Sequence, residues 1–242
     1  MAAPEFYPPF PGFRDEAFQF LRDLRENNER EWFKPRKATY EDELLWPARC
    51  LVGELAEALP GAGIPLTGDP KKAPFRIYRD TRFSKNKAPY KTHLGLVVSR
   101  DGNKKNPGSV YVHVEPEHCF LAAGFWQPER ALLRRWRETM AGAPEAWHAV
   151  VQEVEGAGLA LGHGPAGTLK RMPRGFEAYA DSALAPYLKL KGLVVTRDVA
   201  PEATQRPAFT ADVVAFARDA MPLLAWGWGV EAAASGGTPS TR

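Results

Sequence analysis

The chain has 242 residues, 44% hydrophobic and 25% charged, with a net charge of +3. That is ordinary for a globular protein and long enough to bury a substantial core. No apolar run approaches bilayer length, which excludes a helical membrane protein, and Met1 to Phe13, with four prolines and a glutamate, does not read as a secretory signal. Cys50 and Cys119 are far apart and each sits in an apolar pattern, so a reduced, cytoplasmic setting is expected rather than a disulfide framework.

Residues 1–14 are rich in proline and aromatics and read as an extended segment. Phe18, Leu21 and Leu24 then share one face of a helix over about Asp15–Asn27, with Asp15 as N-cap. Asn28 and Glu31 are spaced as a capping box for a second helix. That helix is disturbed at Pro35, is expected to kink or break at Pro47, and ends at Pro60-Gly61. Its apolar positions Leu44, Ala48, Leu51, Val52, Leu55 and Leu59 keep a helical period.

A Gly/Pro loop leads to Phe75–Arg79, which alternates like a strand. Further strands are expected at Leu94–Arg100, Ser109–Glu115 and Cys119–Phe125, joined by short links as an antiparallel meander. In the second, Val110, Val112 and Val114 face one way, and Tyr111 and His113 the other. Helices follow from Pro128 to Met140, with Arg130, Arg134 and Arg137 outward, and from Pro144 through Val154. Gly156–Gly167 reads as a loop, Pro186–Leu190 as a short helix, Leu193–Val199 as a strand and Ala211–Leu224 as the last helix. Residues 229–242 are small and polar and read as a disordered tail. The class is α+β: one domain over 15–228, its central, mainly antiparallel sheet packed by N-terminal and C-terminal helices.

Chemistry concentrates in one stretch. Between Lys71 and Lys105 lie eleven basic residues and two acids, Asp80 and Asp101. The densest part, Phe75 to Lys91, sets Arg76, Arg79, Arg82, Lys85, Lys87 and Lys91 around Asp80, with Tyr78, Phe83 and Tyr90 between them. In one reading the arginines pair with helix acids as internal ties. In the other, which local charge excess favours, they line a groove for phosphate or carboxylate. Lys170 and Arg171, with Arg174, form a second basic element that joins the candidate ligand-binding set of Arg76, Arg79, Asp80, Arg82, Lys87, Tyr90 and Lys91.

Asn27-Asn28-Glu29-Arg30-Glu31-Trp32-Phe33 resembles the N-N-x-R-E-W-F signature of the bacterial and fungal domain of unknown function 2461 family. The run from Arg76 through Arg79-Asp80, Arg82-Phe83-Ser84 and Lys87 to Pro89-Tyr90-Lys91 resembles that family's central signature. Gly124-x-Trp126-x-Pro128 and Leu169-Lys170-Arg171-x-Pro173-x-Gly175-Phe176 resemble its later ones, so the likeness spans about residues 6–225. Ala88, where the family more often has a polar residue, and Pro35 depart from its pattern. The resemblance implies a cytoplasmic single-domain protein and names no reaction.

Other residues carry weaker signals. Asp80, among cations, is expected to titrate low, which suits orienting an arginine better than donating a proton. His113 and Glu115 share a strand face and, with Glu117 and His118, present metal-ligand atoms. The spacing matches no recognised motif, so they are read as surface positions on a hairpin, with no metal or cofactor assigned. Ser84 lacks a nucleophile elbow, Lys87 and Lys91 are candidate amines, and Trp126 defaults to packing. No phosphate-binding loop or dinucleotide fingerprint is present. The favoured expectation is binding of a small phosphorylated or anionic ligand. The alternatives are an enzyme acting on a phosphorylated substrate or nucleic acid, and a structural protein; single-stranded nucleic acid ranks below a small ligand.

Overall fold

A computed structural model describes residues 6–235 and shows an α+β architecture with a five-stranded antiparallel sheet, ordered β1-β2-β3-β5-β4. The strands are β1 (Leu94–Ser99), β2 (Ser109–Val114), β3 (Cys119–Phe125), β4 (Ala160–Gly162) and β5 (Leu193–Val199). The helices before the sheet are α1 (Asp15–Glu26), α2 (Arg30–Phe33), α3 (Lys37–Tyr40) and α4 (Trp46–Gly61). Those after β3 are α5 (Arg130–Gly142), α6 (Pro144–Gly156), α7 (Ala185–Leu188), α8 (Pro201–Thr204) and α9 (Phe209–Ser235). The residues form two compact units. The first takes the chain up to Asn106, Val110–Leu121 and Asp198–Phe216; the second takes Pro107–Ser109, Ala122–Arg197 and the chain from Ala217. No helix among the described residues is long and apolar enough to cross a membrane.

In the first unit, α1 buries Ala17, Phe18, Phe20, Leu21 and Leu24. Asp15 does not cap it: Arg14 is the extended residue before the helix, and the Asp15 carboxylate accepts a hydrogen bond from Gln205 Nε2. Its charge sits in the first turn, where the helix dipole favours an anion. The expected capping box is also absent. Glu29 precedes α2 in extended conformation, and the Asn28 side chain is used elsewhere. Pro35 falls in a tight 3₁₀ turn at Lys34–Arg36. Pro47 is the second residue of α4; lacking an N–H and crowding the carbonyl four residues back, it goes with a widened π turn over Glu41–Leu45. Beyond it α4 buries Leu51, Val52, Leu55 and Leu59.

Phe75–Arg79 is not a strand. Its pairing stops at isolated bridges, Pro74 with Leu96 and Tyr78 with Tyr90. Pro74 and Pro89 lack the N–H groups that a longer ladder needs.

In the second unit, buried Phe125, Trp136 and Trp147 pack with the half-buried Trp226 as part of the core. Phe125 meets Trp136 at 4.8 Å edge-on, and Trp226 lies 4.6 Å from Trp147. Trp228 Nε1 donates to Pro107 O at 2.9 Å. These contacts carry α9 to Ser235, so residues 229–235, read from sequence as tail, are helical; 236–242 lie outside the described residues. Arg137 does not face outward. It donates to Leu188 O at 2.8 Å and Leu190 O at 3.0 Å, satisfying carbonyls at the end of α7. Trp126 is half-exposed rather than core. Strand β4, unforeseen in the glycine-rich loop, pairs Ala160–Gly162 antiparallel with Val194–Thr196.

Candidate functional site

The basic stretch is a closed loop built on the Tyr78–Tyr90 bridge. Arg79 N donates to Pro89 O and Lys91 N to Ile77 O, both at 2.8 Å. Asn28 clamps it from outside, accepting from Tyr90 N at 3.0 Å and donating to Tyr90 O at 3.1 Å. Phe33 of α2 stacks on the Tyr90 ring with centroids 4.2 Å apart, so Tyr90 is buried as packing.

Among the described residues, the cations of this loop do not pair with helix acids. Arg79 Nη1 donates to Ala88 O at 2.9 Å, Lys87 Nζ to Thr81 O at 3.0 Å and Lys91 Nζ to Arg76 O at 2.9 Å. Asp80 is engaged by Arg82, whose Nε and Nη2 reach its two oxygens at 3.0 and 2.7 Å. The side-chain and backbone hydrogen bonds from Arg82 hold the Asp80 carboxyl down to about 2. Asp80 is thereby closed as a proton donor. At the loop tip Phe83 is 96% exposed, and Tyr78 is 56% exposed.

Two depressions flank the loop. One, about 370 Å³, is lined by Arg30, Phe33, Lys34, Lys37, Tyr78, Arg79 and Tyr90, with no carboxylate in its wall. The other, about 760 Å³, lies between Thr67–Arg76 and Asp101–Lys105. Its acids are committed: Asp69 to Lys72 Nζ at 3.0 Å and Lys71 N at 2.8 Å, Asp101 to Asn103 N at 2.9 Å. Lys104 of its wall and Lys91 beside it meet at Phe75. Lys91 Nζ lies 5.2 Å and Lys104 Nζ 4.7 Å from the ring centroid, and Lys104 Nζ donates to Pro74 O at 3.0 Å. Burial, then the charges of Lys91 and Arg76, push the Lys104 ammonium below the usual lysine value; burial, then Arg76, does the same to Lys91. The guanidinium of Arg76 is exposed and has no hydrogen-bond or ion-pair partner among the described residues.

The candidate residues are therefore divided. Arg79 and Tyr90 face the smaller groove, Arg76 lines the larger cleft with Lys91 beside it, and Asp80, Arg82 and Lys87 sit on the exposed loop between. Lys170 and Arg171 belong to the second unit, where both are exposed. Lys104 and Arg30 escaped selection as site residues. Lys104 was visible only in the charge excess over 71–105, and Arg30 only in the first family-like motif.

A second cluster stands on β2. Tyr111 Oη and His113 Nδ1 are 2.8 Å apart, and His113 Nε2 is 3.1 Å from Glu115 Oε2. The His93 ring, just before β1, lies 4.5 Å from that of His113, and Phe120 stacks on His113 at 4.5 Å. His113 is 8% exposed, which corrects the expectation of a surface position. The cause is sheet packing: β1 and β3 flank β2 and bring rings over it. Burial, then His113, pulls His93 down to about 4, and burial lowers His113 against the pull of Glu115. Burial also raises the Tyr111 phenol well above the usual value. Glu117 and His118 are outside the group of converging donor atoms, although the His118 ring lies 6.2 Å from that of His113. Glu117 pairs with Arg25 at 2.7 Å, and His118 lies 3.6 Å from Asp198. Phe75, 6.1 Å from the Tyr111 ring, touches both this cluster and the cationic cleft.

The model described as "Conserved hypothetical protein (DUF2461)" matches residues 16–226, and the chain is a member of that family. No curated protein and no solved structure gave a significant match.

Proposed function

We propose that the chain binds a phosphate-bearing small molecule in the cleft between Thr67–Arg76 and Asp101–Lys105, with Arg76, Lys91 and Lys104 receiving the phosphate. One observation carries this. Lys91 and Lys104 donate to backbone carbonyls rather than carboxylates, so their hydrogen bonds are made while their charge is left uncompensated. Burial and then neighbouring cations lower the proton affinity of Lys104 and Lys91, and an anion relieves the part due to charge. Arg76 adds a planar fork suited to two phosphate oxygens. The smaller groove, with Arg30, Lys34 and Arg79, offers contacts for a ligand with a second anionic group.

Single-stranded nucleic acid is the second reading, favoured by the exposed rings of Phe83 and Tyr78 beside cations. Tyr90 does not support it, being buried against Phe33. Thermal unfolding with inorganic phosphate, pyrophosphate, nucleotides, sugar phosphates and short oligonucleotides tests both. A ligand at a hundred times its Kd adds about 2.7 kcal/mol. Stabilisation by a small phosphate compound, weakened in R76A and K104A, is expected. No response to any phosphate at millimolar concentration, or an unchanged response in both variants, rejects the reading.

A further inference from the structure

We propose that His93, His113 and Glu115 form a binding site for one divalent transition-metal ion, held by two imidazole nitrogens and one carboxylate oxygen. Three observations bring the donors together. Alternation along β2 puts His113 and Glu115 side by side on one face. The adjacent strand β1 begins at Leu94, which delivers His93 to the same place. One ligand atom from each residue then lies within 4.8 Å of the others. Around a single ion with bonds of about 2.0–2.2 Å the donors draw somewhat closer, a change within reach of side-chain rotation.

The surroundings accommodate a metal in one tautomer of His113. Tyr111 Oη meets Nδ1 of His113, and Glu115 Oε2 meets Nε2. With the proton on Nδ1, donated to the phenol oxygen, Nε2 and the carboxylate are two acceptors 3.1 Å apart, and a cation belongs between them. Tyr111 then acts as the outer partner that fixes the ring's tautomer. Arg25 Nη2 holds the other oxygen of Glu115 at 3.1 Å and leaves Oε2 turned toward the histidines. His93 has no hydrogen-bond partner for either ring nitrogen among the described residues, so its lone pair is unclaimed.

Two nitrogens and one oxygen suit Zn²⁺, Co²⁺, Ni²⁺ or Fe²⁺ rather than Mg²⁺ or Ca²⁺, and three protein ligands leave positions for water or another ligand. The proposal is independent of phosphate binding, because none of its three ligands lines the cationic cleft.

The test uses the full chain stripped with a chelator. Zn²⁺ is titrated against a chromophoric competitor, and Co²⁺ binding is followed by its visible d–d absorption. One equivalent is expected to bind, with the bound ion raising the unfolding midpoint. H93A and E115Q, checked for fold by circular dichroism, lose that binding. Y111F weakens it by about 10–100-fold, as removal of an outer-shell partner does. H148A, altering a histidine on α6 that does not touch the three ligands, binds as wild type does. Failure of the wild type to take up one equivalent of Zn²⁺ or Co²⁺ overturns the proposal, as does undiminished binding in folded H93A or E115Q. The wild-type titration decides the matter even where a variant does not fold.

Discussion

Asn28 shows how one side chain substitutes for a strand. Its amide presents a donor and an acceptor in the spacing of a peptide group, and both are spent on the backbone of Tyr90, 62 residues away. The Ser/Thr/Asp/Asn-x-x-Glu spacing that suggested a capping box was real, but the partner won by tertiary contact lay outside any local window. Removing the amide leaves a partly buried N–H and C=O without partners, which costs about 1–3 kcal/mol. N28A is therefore expected to lose stability of that size in urea unfolding, and N28D also to lose stability, since a carboxylate cannot donate to Tyr90 O. A change within error for both variants contradicts the clamp. The cations of the loop teach a related lesson: sequence reveals that charge is in excess, but not whether a lysine's hydrogen bonds end on a carboxylate or a carbonyl.

At the scale of elements, alternation located β2, where Ser109 to Val112 are half-buried and buried in turn. It misled at Phe75–Arg79, where alternating side chains flank prolines that cannot donate to a ladder. β4 has only three residues, too few for a period, and depends on β5 for its pairing. Its neighbour problem is reversed at α9, where Gly227 and Gly229 argue against helix but the packing of Trp226 and Trp228 overrides propensity. Truncation after Leu224 removes both indoles and exposes Trp136 and Trp147, so it is expected to abolish the cooperative unfolding of the second unit, read by tryptophan fluorescence. Retention of that transition contradicts the assignment of these rings as its core. On β1, Gly95 lies under Tyr111: a Cβ there would stand 2.5 Å from the phenol oxygen and 2.8 Å from a ring carbon. G95A is expected to destabilise the fold by about 1–3 kcal/mol through overpacking. Y111F is not expected to rescue it, because the ring carbons still collide; full rescue would place the conflict at the hydroxyl alone.

For the molecule as a whole, a net charge of +3 conceals a strongly uneven distribution. The histidine–tyrosine–glutamate face was half legible: β2 alternation gave Tyr111 and His113, while His93 entered only through the pairing of β1 with β2. The cleft was legible as charge and not as shape, because Lys71–Arg76 and Lys104 meet only when the loops fold. Charge excess of this kind makes anion binding weaken as salt is raised, through screening of the exposed members. Its most direct reporter is the ammonium of Lys104. In the free protein, burial and the neighbouring cations hold its titration below the ordinary lysine value. Deprotonation relieves that penalty, so this group's contribution to stability increases as pH rises through its folded-state midpoint toward that of the unfolded chain. A bound phosphate that favours the charged form moves the midpoint back upward. The decisive measurement is an NMR titration of the Lys104 side chain, assigned by its absence in K104R, with and without saturating pyrophosphate. A depressed midpoint that rises when pyrophosphate is added is the predicted result; an ordinary lysine midpoint that pyrophosphate leaves unmoved contradicts the account.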